Sequence, residues 1–136
     1  MQDKVFLDTN VLVYTYSATE IDRQRISTSL VENFRIVVST QVLQEMANVL
    51  WKKFHNTYSE IKNTLVECRK YISFIHINGP VTLMNACDIA EKYRFSFYDS
   101  LIIAAALESG CTTLYSEDMQ HNQVIEGKLK IVNPFV

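Results

Sequence analysis

The chain has 136 residues, of which 48% are apolar and 21% charged, and its formal net charge is −2 at pH 7. This composition is typical of a globular protein and excludes a disordered chain, which needs few apolar residues and a high net charge. The length suits one domain, so we expect a single domain over residues 1–136. The slight acidity excludes a uniformly basic nucleic-acid coat, while leaving room for a local basic patch.

Short apolar strands and longer helical patterns alternate along the chain. In chain order, the patterns predict a strand at 5–7, helices at 11–16 and 21–34, a strand at 36–39, helices at 40–54 and 59–73, a strand at 74–77, helices at 81–93 and 98–109, and strands at 112–115 and 129–132. Only three Gly and two Pro are present, which disfavours the many tight turns of a β-sandwich. The alternation predicts a three-layer α/β/α fold with a short parallel central sheet, in which ligands bind beyond the carboxyl ends of the strands.

Acidic side chains stand near the ends of these predicted elements. Asp8 follows the first strand, Asp118 follows the fourth, Asp99 lies in the first turn of the last helix, and Glu45 lies in the helix after the second strand. Each acid alone has an ordinary explanation, such as a helix cap or a solvated side chain. Asp8 and Asp99, however, are flanked by apolar residues, and no Lys or Arg closely follows either one. Their burial would be costly without a cation.

A hard divalent cation would neutralise such a cluster. Carboxylates together with waters suit Mg²⁺ or Mn²⁺ rather than zinc. Acids around such an ion can position a water and neutralise a phosphodiester, which is the chemistry of a phosphoryl-hydrolysing nuclease.

Four segments then resemble the acidic motifs of the PIN domain family. VFLDTNVLVY at residues 5–14 resembles the opening of the family, FSFYDSLI at 95–102 its third acidic motif, and LYSEDM at 114–119 its fourth, while Glu45 matches the second acid. The resemblance covers the whole chain in the right order. Ser100 and Ser116 replace the more common Ala and Thr of these motifs, and both are small changes.

The resemblance implies metal-dependent cleavage of RNA, and the single-domain members are mostly VapC-type toxins. It implies that Asp8, Asp99 and Asp118 bind the metal and that Glu45 acts through a water or as a water-orienting base. Asn10 and Ser116 would hydrogen-bond the acids. Glu117 is a possible additional acid, because the sequence leaves open whether it or Asp118 faces the metal.

We therefore expect a Mg²⁺- or Mn²⁺-dependent endoribonuclease, the toxin of a type II toxin–antitoxin pair. Its expected partners are RNA, a cognate antitoxin protein and a second copy in a homodimer. No apolar run approaches the length of a membrane span, so we expect a cytoplasmic protein. The alternatives are a non-catalytic PIN-like protein-binding module and a haloacid-dehalogenase-like phosphatase, which needs an Asp where Asn10 stands.

One further segment is basic and aromatic. Over residues 51–70, five basic residues (Lys52, Lys53, Lys62, Arg69 and Lys70) stand against Glu60 and Glu67. They suit either phosphate contacts or, more commonly, a solvated helix face. Three aromatic residues, Trp51, Phe54 and Tyr58, are expected in the core rather than as a surface for nucleobases.

Overall fold

Six strands and six helices follow one another in residues 3–136, the part of the chain that the computed structural model describes. In chain order they are β1 (Lys4–Leu7), α1 (Thr9–Tyr14), α2 (Ile21–Asn33), β2 (Arg35–Ser39), α3 (Thr40–Lys52), α4 (Tyr58–Cys68), β3 (Ile72–His76), α5 (Pro80–Tyr93), α6 (Phe97–Glu108), β4 (Thr113–Tyr115), β5 (Val124–Ile125) and β6 (Leu129–Val132).

The strands form one sheet in the order β3-β2-β1-β4-β6-β5. β1 pairs in parallel with β2 and β4, so that Phe6 lies opposite Val37 on one side and Leu114 on the other. β5 runs antiparallel to β6, while the other paired strands are parallel. The predicted α/β/α fold with a parallel central sheet is confirmed, with one antiparallel edge strand added.

The winding of the chain reverses at β1. From β1 the chain moves through β2 to β3 at one edge, then returns through α5 and α6 to β4 on the other side of β1. Right-handed crossovers therefore place α1 to α4 over one face and α5 and α6 over the other. Where the winding reverses, the helices diverge and leave a crevice beyond the carboxyl ends of the strands. Asp8 and Ser116 directly follow β1 and β4, so both lie at that crevice.

The core is built on the central strands and α6. Phe6, Leu7, Val37 and Leu114 have no exposed surface, as expected for strands covered on both faces. In α6, every residue from Ser100 to Ala106 is buried. Within residues 3–136, no helix is both long and apolar enough to cross a membrane. The packed core fixes the backbone at the strand ends and at the start of α6.

Two element predictions are wrong. α4 ends at Cys68 rather than at residue 73, because Ile72 pairs with Ile36 in the sheet. Ile72 continues the helical spacing of α4, but pairing with β2 takes it into β3. β5 was not predicted, because two residues are too short to show an alternating pattern.

The expected core position of three aromatic residues is also wrong. The buried residues of α3 are Gln41, Val42, Met46 and Leu50, and Trp51 is not among them. Phe54 lies beyond the end of the helix, and Trp51, Phe54 and Tyr58 are all exposed.

Candidate active site

A cleft of about 330 Å³ opens at the crevice beyond β1 and β4. Its lining residues are Asp8, Thr9, Asn10, Glu45, Asn48, Val49, Asp99 and Asp118. The structure thus brings together the four predicted acids from the end of β1, from α3, from the first turn of α6 and from the loop after β4. Neither Lys nor Arg is among these lining residues.

Asp8 is held at the end of β1 by the sheet and by two neutral donors. Its backbone N–H donates to the carbonyl of Tyr115 at 3.0 Å, which continues the pairing of β1 with β4. Its Oδ1 accepts from the backbone N–H of Thr9 at 2.8 Å, so Asp8 also caps α1. Its Oδ2 accepts from the Ser116 hydroxyl at 2.8 Å. Both carboxylate oxygens are therefore oriented, while neither contacts a positive charge.

Two of the acids have raised pKa values. Burial raises the pKa of Asp8 to about 6, and the charges of Glu45 and Asp99 add to this, while its hydrogen bonds act in the opposite direction. Burial also raises the pKa of Asp99, with Asp118 and Glu45 contributing. Removal from water and like charge both disfavour the ionised forms. The cleft therefore holds negative charge that its own lining does not neutralise.

Glu45 is tied to the neighbouring helices. Ser39, the last residue of β2, caps α3 by accepting from the backbone of its first turn, so the helix begins directly at the sheet. Glu45 lies one turn further along α3, and its Oε1 accepts a hydrogen bond from the Thr9 hydroxyl at 2.5 Å. Gln41 donates to the carbonyl of Tyr98 at 3.2 Å and to Glu45 Oε2 at 3.5 Å. Glu45 is thereby fixed relative to both α1 and α6.

The two adjacent acids after β4 face different surroundings. Asp118 lines the cleft, and its Oδ2 accepts from the Asn10 side-chain amide at 2.8 Å. Glu117 instead accepts from the Tyr14 hydroxyl and from Arg23 Nε, each at 2.7 Å. The structure therefore places Asp118, rather than Glu117, among the residues that line the cleft.

Sequence reasoning missed three residues of this site. Thr9 holds Glu45, Gln41 joins Glu45 to the start of α6, and Asn48 lines the cleft. Helical spacing offered a signal for two of them, because Gln41 and Asn48 lie four residues before and three after Glu45, on the same face of α3.

The donor set fits a divalent cation. Four carboxylates supply the hard oxygen ligands that Mg²⁺ and Mn²⁺ prefer. Across residues 3–136, no three His, Cys, Asp or Glu side chains are gathered closely enough to hold an ion as they stand. Mg²⁺ usually keeps several waters and takes one or two carboxylates, so an open arrangement is compatible with it. The partly buried carboxylate of Asp8, which has no cationic partner within residues 3–136, is the feature that such an ion would neutralise.

The sequence matches the PIN domain family over residues 5–126, so the chain belongs to that family. PIN domains of VapC toxins are generally nucleases, and PIN nucleases generally use divalent metals. Membership in the family therefore supports a hydrolase activity. Comparison of the sequence with curated proteins finds no match.

Solved structures with this fold include toxins and toxin–antitoxin complexes. VapC20 of Mycobacterium tuberculosis, described as a toxin that cleaves the sarcin–ricin loop, has a TM-score of 0.68 and 17% identity, over 84% of this chain and 89% of that one. A toxin–antitoxin complex from Klebsiella pneumoniae has a TM-score of 0.71 and 20% identity, over 96% of this chain and 97% of that one. VapBC2 from Rickettsia felis, bound to a DNA fragment from its promoter, has a TM-score of 0.66 and 18% identity, over 96% of this chain and 99% of that one. At these identities the likeness shows a common fold.

Proposed function

We propose that the protein is a Mg²⁺- or Mn²⁺-dependent endoribonuclease that hydrolyses RNA phosphodiester bonds, and that it is the toxin of a type II toxin–antitoxin pair. The observation that carries this proposal is the convergence of four carboxylates in one cleft whose lining includes no Lys or Arg. Membership in the PIN family and the fold shared with VapC toxins support it. An RNA substrate would place its action in the cytoplasm.

In this proposal three aspartates, Asp8, Asp99 and Asp118, hold the cation. A bound divalent cation supplies positive charge against the phosphodiester and lowers the pKa of a water. Ser116 orients Asp8 and Asn10 orients Asp118 through the hydrogen bonds described above. Such supporting contacts fix the direction in which each carboxylate presents its oxygens.

Glu45 is the remaining acid and is assigned to the attacking water. Thr9 donates to one of its oxygens, which keeps the carboxylate turned into the cleft. Glu45 orients the water and accepts its proton as the water oxygen bonds to phosphorus. The bond from phosphorus to the leaving sugar oxygen breaks, and a solvent proton completes the new hydroxyl group.

The proposal includes two protein partners. The four acids give the cleft a charge that a basic side chain of an antitoxin would neutralise, which would inhibit the enzyme by charge pairing. The structure from Klebsiella pneumoniae is a toxin–antitoxin complex, which supports an antitoxin partner for this chain. A homodimer is proposed because small soluble proteins assemble most often with two-fold symmetry.

Cleavage of total RNA by the purified chain tests the catalytic part. We expect cleavage with Mg²⁺ or Mn²⁺, none in excess EDTA, and little with Ca²⁺, whose looser coordination positions a water poorly. Asp8→Asn should abolish cleavage, while Asp88→Asn, a matched change at an exposed acid of α5 outside the cleft, should not. Full activity in EDTA or in Asp8→Asn would contradict the proposal. A folded protein that cleaves no RNA with any of these metals would instead favour the non-catalytic binding module.

Expression in the native host tests the toxin assignment. Wild-type protein should arrest growth when the neighbouring gene is deleted, and Asp8→Asn should not. Unaffected growth with an active, folded wild type would count against the toxin assignment and leave the nuclease assignment standing.

A further inference from the structure

Two aromatic rings, one on α3 and one on α4, stack on each other at the surface of the protein. The rings of Trp51 on α3 and Tyr58 on α4 are parallel to within 7°, with their centroids 4.2 Å apart. Trp51 is 44% exposed, Tyr58 is 68% exposed, and Phe54 between them is 40% exposed. We call these three residues the aromatic surface. Large apolar side chains grouped at a surface mark an interaction site rather than a part of the core.

The aromatic surface is held in place by its own chain. The α3–α4 connection, residues 53–57, ends in a capping box. In this box, Thr57 Oγ1 accepts from the Glu60 backbone at 3.1 Å, and Glu60 Oε1 accepts from the Thr57 backbone at 2.9 Å. The box begins α4 at Tyr58 and so positions that ring against Trp51. A ligand would meet a preorganised surface, which lowers the entropic cost of binding.

One face of α3 leads from the cleft to the aromatic surface. Glu45 and Asn48 point toward the cleft, and Lys52 lies four residues after Asn48, one turn further along the same face. Trp51 lies three residues after Asn48, and residues three apart are also neighbours on one face of a helix. The rise from Glu45 to Trp51 is about 9 Å along the helix axis, a distance that a few nucleotides span.

A second hollow joins the same two regions. It has a volume of about 240 Å³ and shares Asn10 and Val49 with the cleft. Its lining also includes Glu20, Lys53 and Phe54. The hollow therefore connects the cleft with the aromatic surface at Phe54.

The charge differs between the cleft and the aromatic surface. The cleft contains four carboxylates, whereas residues 51–62 contain three lysines, Lys52, Lys53 and Lys62, against Glu60 alone. These four side chains are exposed. A phosphate backbone is attracted to the lysines. A basic antitoxin segment suited to the acids would be repelled by them, so the charges favour RNA over protein at this surface.

We propose that Trp51 and Tyr58 form a stacking platform for unpaired bases of single-stranded RNA, with Lys52 and Lys53 contacting the adjacent phosphates. Exposed rings beside lysines are the combination by which proteins bind single strands. In a duplex the base faces are covered by their neighbours, so the platform would select single-stranded segments and loops. The inference rests on the proposed function and specifies the form of its substrate.

Trp51 is the only tryptophan of the chain, so its fluorescence reports on the platform directly. The experiment uses metal-free Asp8→Asn, which should bind without cleaving, and titrates it with a single-stranded oligoribonucleotide or with the corresponding duplex. We expect the single strand to quench Trp51 and the duplex to quench it much less. Equal or stronger quenching by the duplex would overturn the proposal. Quenching by a lysine-rich peptide but not by the oligoribonucleotide would also overturn it, because the surface would then bind protein.

Variants in the same background separate stacking from charge. With a fluorescently labelled oligoribonucleotide, Trp51→Ala should weaken binding by roughly tenfold or more, whereas Trp51→Phe should retain most of the affinity because it keeps a ring. Phe74→Ala is the matched control, since Phe74 is an aromatic residue of similar exposure (50%) that lies on β3 rather than on α3 or α4. Tyr58→Ala provides a second route if Trp51→Ala fails to fold. Wild-type affinity in folded Trp51→Ala or Tyr58→Ala would contradict the proposal.

Cleavage kinetics distinguish this inference from the proposed function. In the active protein, Trp51→Ala should raise KM for single-stranded RNA and leave kcat nearly unchanged. RNA cleavage that is indifferent to Trp51 would overturn the platform and keep the nuclease. Binding that depends on Trp51, in a protein that never cleaves RNA, would keep the platform and overturn the nuclease.

Discussion

Asp8 is the side chain on which the candidate site most depends. It lies partly buried beside Glu45 and Asp99, and the removal of its carboxylate from water raises its pKa to about 6. Without metal, its ionised form therefore opposes folding at neutral pH. Asp8→Asn should raise the free energy of unfolding by on the order of 2 kcal/mol at pH 7, measured by chemical denaturation in EDTA. The exposed control Asp88→Asn should change it little, and a destabilised Asp8→Asn would contradict this explanation.

The same pKa predicts a pH dependence. Folded Asp8 binds its proton more tightly than the unfolded chain, whose value is near 3.8. Its contribution to stability is therefore complete below about pH 4 and is lost as the pH rises to about 6. Other groups titrate in this range, so the measured quantity is the stability difference between wild type and Asp8→Asn. We expect that difference to grow from pH 4 to pH 6.5 in metal-free buffer, and a constant difference would argue against the assignment.

Glu117 and Asp118 are neighbours that should respond differently to loss of charge. Burial raises the pKa of Glu117, but hydrogen bonds from Tyr14 and Arg23 outweigh it and hold the pKa below its ordinary value. The stabilisation from Glu117 is therefore lost only as the pH falls through that lowered pKa. Glu117→Gln should lower the free energy of unfolding by about 1 kcal/mol, because the hydrogen bonds from Tyr14 and Arg23 lose their charged acceptor. The variant should retain cleavage, because Glu117 does not line the cleft.

Asp118→Asn should behave in the opposite way, with a retained fold and lost cleavage. Thermal melting and RNA cleavage of the two variants compare the roles directly. Loss of cleavage in a folded Glu117→Gln, together with activity in Asp118→Asn, would reverse the assignment.

Among the secondary-structure elements, α6 carries the greatest constraint. Its residues from Ser100 to Ala106 are all buried, and Ser96 caps it by accepting from the backbone N–H of Asp99 at 3.2 Å. Ser96→Ala should lower the free energy of unfolding by about 1 kcal/mol and weaken cleavage, since the cap positions the turn that contains Asp99. Ser59→Ala is the control, because Ser59 is exposed inside the first turn of α4. Equal stability of Ser96→Ala and wild type would show that the cap contributes little.

For the whole molecule, the proposed homodimer is open to direct measurement. Exposed apolar side chains one turn apart on α5, Val81 at 59% and Met84 at 60%, provide a surface for such an interface. Sedimentation should give twice the chain mass of 15.7 kDa, and Met84→Lys should shift the equilibrium toward the monomer by placing a charge in the interface. A monomeric wild type would remove the homodimer from the proposal.

The alternation of strands and helices can be predicted from the amino-acid pattern alone, since burial on both faces demands short apolar strands and one-sided apolar helices. The pattern also indicates which acids are unusual, because Asp8 and Asp99 stand in apolar surroundings without a compensating cation. Both conclusions depend on local pattern. The α/β/α fold that the alternation predicts is confirmed.

Features that depend on contacts between distant residues could not be predicted from local pattern. Ile72 satisfies the helical spacing of α4, yet pairing with Ile36 makes it part of β3. Glu117 and Asp118 look equivalent in sequence, and Arg23, 94 residues away, turns Glu117 out of the cleft. Trp51 is a large aromatic residue of the kind expected in a core. The side of α3 that is buried is determined by the sheet on which the helix packs, and Trp51 lies outside that side. Local pattern predicts most of the elements, whereas contacts with residues far along the chain decide where an element ends and which side of it meets solvent.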